Sequence, residues 1–195
     1  GTHHARNNMV LNGSNGIRMD EEHTIDFKYN NVWNTVLPYI NFTPDSTNLS
    51  VEPMVVSEDS LDFHLQKYSP LIDAGDPNIL DVDGSRSDIG LYGGPNGEVY
   101  FYQDRAPKVP VNLNGEIDSN IVAITWNRNH ETDFSHYRIY RDNSSGFDIG
   151  PNKFIAEAAD TFFNDQISSG RNLYYKLTSV DSTGNESQTS EELAI

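Results

Sequence analysis

The first third of the chain repeats itself. Asn7-Asn8-Met9-Val10 aligns with Asn30-Asn31-Val32-Trp33 at an offset of 23 residues, and the same step lands on Pro53-Met54-Val55-Val56. The next stretch keeps the step, as Gly16-Ile17-Arg18-Met19, Tyr39-Ile40-Asn41-Phe42 and Asp62-Phe63-His64-Leu65. Ile17, Ile40 and Phe63 form one apolar column and Met19, Phe42 and Leu65 another, with polar Arg18, Asn41 and His64 between them. Side chains alternate faces along a strand, so this is an apolar-in, polar-out strand written three times. A further segment, Thr24-Ile25-Asp26-Phe27, matches Thr47-Asn48-Leu49-Ser50 only with a one-residue slip. A step of this size with short strands in each copy suits a β-solenoid coil, which cannot bury its own inner face and must stack on neighbours. The alternative is an ordinary sandwich with coincidental spacing. Two apolar columns and a polar one sharing one offset favour the solenoid. Three coils are predicted, and because Gly1 enters the pattern part-way, earlier coils are expected before it.

Composition excludes several classes of partner. The 195 residues carry 13 Lys+Arg against 29 Asp+Glu, a formal net charge of −16, and no Cys. The excess of acid opposes binding to nucleic-acid phosphates and to anionic membrane surfaces. It is spread over both halves: residues 1–105 hold 6 basic and 16 acidic side chains, and residues 106–195 hold 7 and 13. Without Cys there is no disulfide, thiol nucleophile or Cys-ligated metal. Gly1-Thr2-His3-His4 is polar and lacks signal-peptide character, and no apolar run approaches a membrane span. The 21 Asn, clustered with Asp, Gly and Ser, break the chain into short stretches, while 10 Tyr and 9 Phe supply core surface. The pattern predicts an all-β protein.

After the repeat come Ser69-Pro70-Leu71-Ile72-Asp73-Ala74-Gly75-Asp76-Pro77 and Asp83-Gly84-Ser85-Arg86-Ser87-Asp88-Ile89-Gly90-Leu91-Tyr92-Gly93-Gly94-Pro95. With Asp62-Phe63-His64-Leu65, these resemble the C-terminal end of bacterial right-handed parallel β-helix proteins of the pectate-lyase-like class. Leu71 and Leu91 stand where that family usually has Ala. The resemblance covers residues 1 to 98. It implies that residues 1–104 are the terminal coils and cap of a β-helix. Cleavage of acidic polysaccharide in that family relies on calcium and a Lys or Arg base on central coils, which would lie before Gly1.

The second half has another rhythm. A linker-like Arg105-Ala106-Pro107-Lys108-Val109-Pro110 precedes strand-like runs at Ile121–Trp126, Tyr137–Arg141, Phe154–Ala156, Phe162-Phe163 and Leu173–Val180. Turn signals at Asn143–Gly146, Ser168-Ser169-Gly170 and Asp181–Asn185 separate them. Short strands at such intervals predict a β-sandwich. These residues resemble a fibronectin type III domain: Trp126 matches its core Trp, Tyr137–Arg141 its third strand, and Tyr175–Ser187 its last hairpin. The family's tyrosine corner falls on Leu173, beside Tyr174. The sandwich is assigned residues 105–195.

No G-x-S-x-G, H-E-x-x-H or phosphate loop is present. His3 and His4 are adjacent and fall on opposite faces of a strand, which does not suit a metal site. The best site candidate is Asp81-Val82-Asp83-Gly84-Ser85-Arg86-Ser87-Asp88, where Asp81, Asp83, Ser85 and Asp88 offer oxygen ligands for a structural Ca²⁺. Its Gly falls at the fourth position, two early for an EF-hand, it lacks the closing Glu, and Arg86 could pair with Asp88 or Asp73 instead. The competing reading is a cap whose Asp side chains accept backbone N–H groups in Asx-turns. The stretch Asp142–Asn152 is read as a polar strand connection. The column Arg18, Asn41, His64 could touch a glycan but reads first as a solvated face. Sequons such as Asn12-Gly13-Ser14 are expected by chance in so Asn-rich a chain.

These readings predict a monomeric, non-catalytic C-terminal region of a secreted or cell-surface bacterial protein. Its parent would be a polysaccharide lyase or glycoside hydrolase and would engage polysaccharide. No nucleic acid and no membrane insertion are expected. The alternatives are a rigid adhesin stalk, or a carbohydrate-binding module using Tyr100, Phe101 and Tyr102.

Overall fold

The computed structural model describes residues 3–19, 25–168 and 172–195. Thr24 of the slipped repeat, and Ser169 and Gly170 of the expected turn, lie outside them. The described residues are all-β and divide into two compact units, Gly1–Asp104 and Arg105–Ile195.

The first unit opens with two coils. β1 (His3–Arg6), β2 (Met9–Leu11) and β3 (Asn15–Arg18) pair in parallel with β4 (Ile25–Lys28), β5 (Asn31–Trp33) and β6 (Leu37–Ile40). Among the described residues, β1, β2 and β3 pair with no other strand. The register joins Val10 to Val32 and Ile17 to Tyr39, a step of 22 rather than 23. A one-residue slip turns every side chain to the opposite face, so the difference matters. The first two copies each contain two adjacent Asn, and the 23-residue offset pairs Asn7 with Asn30 where the structure pairs Asn8 with it. Asn8 lies over Asn30, donating from Nδ2 to its Oδ1 at 2.8 Å, and Asn30 donates to Asn48 Oδ1 at 3.0 Å. Asn34 donates to Asn12 Oδ1 at 2.7 Å. Backbone turns hold the same step: Asn7 and Tyr29 have φ of 58° and 55°, and Asn12 and Asn34 have 55° and 51°. Asn tolerates this left-handed conformation better than most residues. Within the second coil, the rings of Phe27, Tyr39 and Phe42 meet edge to face at 5.4–6.1 Å.

The expected third coil is a correction. It begins, with Leu49 bridging Asn31 in parallel, but only 18 residues on. The chain then leaves the stack, and β7 (Val55–Ser57) and β8 (Asp62–Leu65) pair with each other antiparallel. Met54 at φ 51° and Leu61 at φ 58° mark the two bends. Pro53, at the exit, has no N–H to extend a ladder. Phe63 and Leu65 keep their apolar role in a different element. Val55, Leu65, Leu71 and Ile89 form a buried core, against which Met9, Leu49, Phe63 and Tyr102 pack.

The second unit is a two-sheet sandwich. β9 (Asn114–Asp118), β10 (Ile121–Thr125) and β13 (Phe162–Gln166) form one sheet in the order β13-β10-β9. β11 (Phe134–Asp142), β12 (Phe154–Ala158), β14 (Tyr174–Asp181) and β15 (Leu193–Ala194) form the other in the order β12-β11-β14-β15. Seven strands split three and four in this order make a fibronectin type III-like fold. β10 alternates buried and exposed residues, as a half-covered strand must. Val122, Ile124, Trp126, Tyr137, Ile139, Tyr175 and Leu177 fill the core. Trp126 follows β10 directly and meets Tyr137 edge to face at 5.1 Å. Leu173, at the tyrosine-corner position, is buried, and the buried Tyr175 donates its hydroxyl to Asp165 at 2.7 Å.

Candidate functional site

The closing segment of the first unit gathers most of its polar chemistry. Asn7, held in its left-handed turn, is the anchor. It donates from Nδ2 to Ser87 Oγ at 2.6 Å, accepts from the Asp76 amide on Oδ1 at 2.8 Å, and accepts from the Gly90 amide on its carbonyl at 3.0 Å. Gly75 is required at this contact, since a Cβ there would lie 2.4 Å from Ser87 Oγ and 2.8 Å from Asn7 Oδ1. Arg6 pairs with Asp76 at 3.2 Å and with Asp26.

The four residues of the acidic loop take separate tasks. Asp83 Oδ1 accepts from the Ser85 amide at 3.0 Å and from its hydroxyl at 2.6 Å, a local Asx-turn. Asp81 reaches further, accepting from the Asp88 amide at 3.1 Å and from the Gly94 amide. Asp88, 3% exposed, accepts from the Asp73 amide at 2.9 Å and from the Tyr102 hydroxyl at 3.0 Å. Burial pushes the Asp88 carboxyl above the usual carboxylate range despite these donors, and burial with the facing Asp88 raises Tyr102. Arg86 pairs with neither Asp73 nor Asp88 as its main partners; it donates to the carbonyls of Gly75 at 2.6 Å and Ala74 at 3.1 Å. Asp81, Asp83 and Asp88 share a cavity of about 30 Å³ with Glu98. No three of these carboxylates bring oxygens within 4.8 Å of one another, whereas calcium gathers six to eight oxygens. As arranged, these carboxylates accept backbone N–H groups of the closing segment.

Beside this loop lies a cluster that spacing did not reveal. The His64 ring stacks on Tyr92 with centroids 3.8 Å apart and planes 2° apart, and meets Tyr100 edge to face at 4.6 Å. Its Nδ1 faces Asp62 Oδ1 and its Nε2 faces Glu98 Oε1, each at 2.5 Å. Burial lowers its pKa, but the two carboxylates outweigh that and raise it above the ordinary value. His64 therefore does not share an outer column with Arg18 and Asn41. Asn41 lies at the end of β6 and donates to the Met19 carbonyl at 3.2 Å. Of the aromatic trio, Tyr100 and Tyr102 pack inward, with rings 5.0 Å apart, and Phe101 is 85% exposed. A groove of about 820 Å³ runs along β2, bounded by Arg6, Asn12, Glu58, Leu61, Phe63 and Leu91.

In the sandwich, the stretch Asp142–Asn152 is the β11–β12 connection. Asp142 accepts from the Asn143 and Ser144 amides and pairs with Lys153. The Ser145 hydroxyl and Gly146 amide donate to Glu192 at 2.6 and 2.8 Å.

An all-β chain of parallel strand pairs and an antiparallel hairpin in its first unit, with a fibronectin type III-like sandwich as its second, is thus the class of architecture. No protein-family model and no curated protein matches the chain. Among solved structures, it is similar to a Fn3-like protein from Clostridium thermocellum at 30% identity, over 46% of this chain and 91% of that one, with a TM-score of 0.39. A β-1,2-glucanase from Parabacteroides distasonis is 26% identical over 47% of this chain and 12% of the enzyme, with a TM-score of 0.37. Pectate lyase PelI from Erwinia chrysanthemi, solved with tetragalacturonic acid, is 22% identical over 42% of this chain and 27% of the enzyme, with a TM-score of 0.34. The chain thus spans only a small part of either enzyme.

Proposed function

We propose that this chain is the non-catalytic C-terminal region of a secreted bacterial carbohydrate-active protein. In this reading the first unit ends a parallel β-helix of the pectate-lyase-like class, and the sandwich is its accessory module. The observation that carries it is the pair of coils in 22-residue register, whose β1, β2 and β3 each pair, among the described residues, along one edge only. Such edges carry a row of backbone donors and acceptors suited to another coil. An upstream coil would continue the asparagine ladder above Asn8. The cap reading is supported by the closing segment, where Asn7, Asp81 and Asp88 accept backbone N–H groups of irregular loops that have no ladder partner. The acidic loop then braces the cap, in the place where a structural Ca²⁺ was expected from the sequence.

The parent's sequence and activity test this. Further 22-residue copies with Asn at the ladder position are expected before Gly1. The secreted parent is expected to depolymerise a polysaccharide from a panel of pectin, alginate and β-glucans, and the 195-residue chain to leave all of them intact. Absence of further copies, or depolymerisation by the chain alone, would refute the proposal.

A further inference from the structure

We propose that the outer face of the four-stranded sheet binds a neutral glycan. A cavity of about 480 Å³ opens there, lined by Arg138 and Tyr140 of β11, Phe154 and Glu157 of β12, Pro151 of their connection, and Glu186. That volume lies within the roughly 300–1,000 Å³ of small-molecule sites. The register sets Arg138 opposite Glu157 and Tyr140 opposite Phe154, so the floor has a polar half and an aromatic half.

Both halves are held in place before any ligand arrives. Tyr140 and Phe154 meet edge to face at 5.9 Å, and Phe154 remains 41% exposed, presenting aromatic surface to the cavity. Arg138 donates from Nη1 to Glu186 at 2.6 Å and from Nε to Glu157 at 3.5 Å. The hydroxyls of Tyr140 and Thr178 donate to Glu186 Oε1 at 2.8 and 2.6 Å. These contacts use two of the five N–H donors of the guanidinium, and the Glu157 carboxylate is half exposed.

A ligand matched to this floor needs an apolar face for Phe154 and a rim of hydroxyls that both donate to Glu157 and accept from Arg138. A pyranose ring has both. Charge narrows the choice. Two glutamates flank one arginine, and residues 106–195 hold 13 acidic against 7 basic side chains, so a polyanionic glycan is repelled. The inference rests on the carbohydrate-directed reading above and extends it, since the sandwich would grip a neutral chain rather than serve as a spacer.

The test is amide NMR and calorimetric titration of the whole 195-residue chain with gluco-, xylo-, manno- and chito-oligosaccharides, and with oligogalacturonate of equal length. Saturable shifts at Arg138, Phe154 and Glu157 are expected with at least one neutral oligomer, and none with oligogalacturonate. Phe154→Ala should weaken binding about tenfold, as loss of an aromatic platform implies, and leave the chain folded, with its core amide shifts unchanged. Arg138→Gln should weaken it as well. No shift at these residues with any neutral oligomer, a response to oligogalacturonate alone, or undiminished affinity in Phe154→Ala would each overturn the inference. A parent that cleaves polysaccharide beside a sandwich that fails these titrations would remove this inference and leave the reading of the parent standing.

Discussion

His64 holds a carboxylate against each ring nitrogen, and a neutral imidazole has only one N–H to give. The geometry therefore calls for the imidazolium, in agreement with the raised pKa. Since the folded-state pKa lies above the ordinary value of about 6.5, the stabilisation is complete below about pH 6.5 and is lost as pH rises through the folded-state pKa. The link joins β8 to the 92–100 segment, so amide exchange in that segment is expected to quicken on the alkaline side. In Glu98→Gln the His64 titration followed by NMR should move back toward its ordinary position; an unmoved titration would remove Glu98 as a partner. None of this was legible from spacing. Glu98 lies 34 residues from His64, and Tyr92 reaches the ring only when the closing segment folds back.

The coils show how an element can be read correctly in kind and wrongly in register. Alternation and repetition pointed to stacked strands, because a half-buried strand needs a period of two. The sequence leaves the step open by one residue because the adjacent Asn of the first two copies align almost equally well at two offsets. Buried amides settle it. Asn30, fully buried, donates to the Ala5 and Lys28 carbonyls and to Asn48, and accepts from Asn8. Asn30→Ala is expected to cost about 2–3 kcal/mol by urea denaturation, since it strands several buried partners. Asn12→Gly, which keeps the left-handed turn and removes only an exposed rung, should cost less than about 1 kcal/mol. The acidic loop gives an element-level prediction of its own. Asp81→Ala should lower the melting temperature equally in Ca²⁺ and in chelator, because its partners are the Asp88 and Gly94 amides. A rise in the unsubstituted chain's melting temperature on adding Ca²⁺ that Asp81→Ala abolishes would show instead that the loop gathers ligands.

Each unit carries its own core, with Val55, Leu65, Leu71 and Ile89 in one and Val122, Ile124, Ile139 and Leu177 among those in the other. Ile139→Ala should therefore destabilise the sandwich by about 2–5 kcal/mol, seen as faster amide exchange across β9 to β15 with β1 to β8 unchanged. Leu71→Ala should do the reverse. Acceleration throughout the chain would mean that the two units unfold together. The sequence by itself determined the all-β class, the stacked strands of the first unit and the strand runs of the sandwich. Those depend on local periodicity and on turn residues, which neighbours along the chain express. Only the tertiary structure decided the coil register, the hairpin in place of a third coil, the carboxylates around His64, and the aromatic and charged floor on the sandwich. Each of these depends on which distant groups meet. Alternation along a strand states which face is apolar but not what will be set against it.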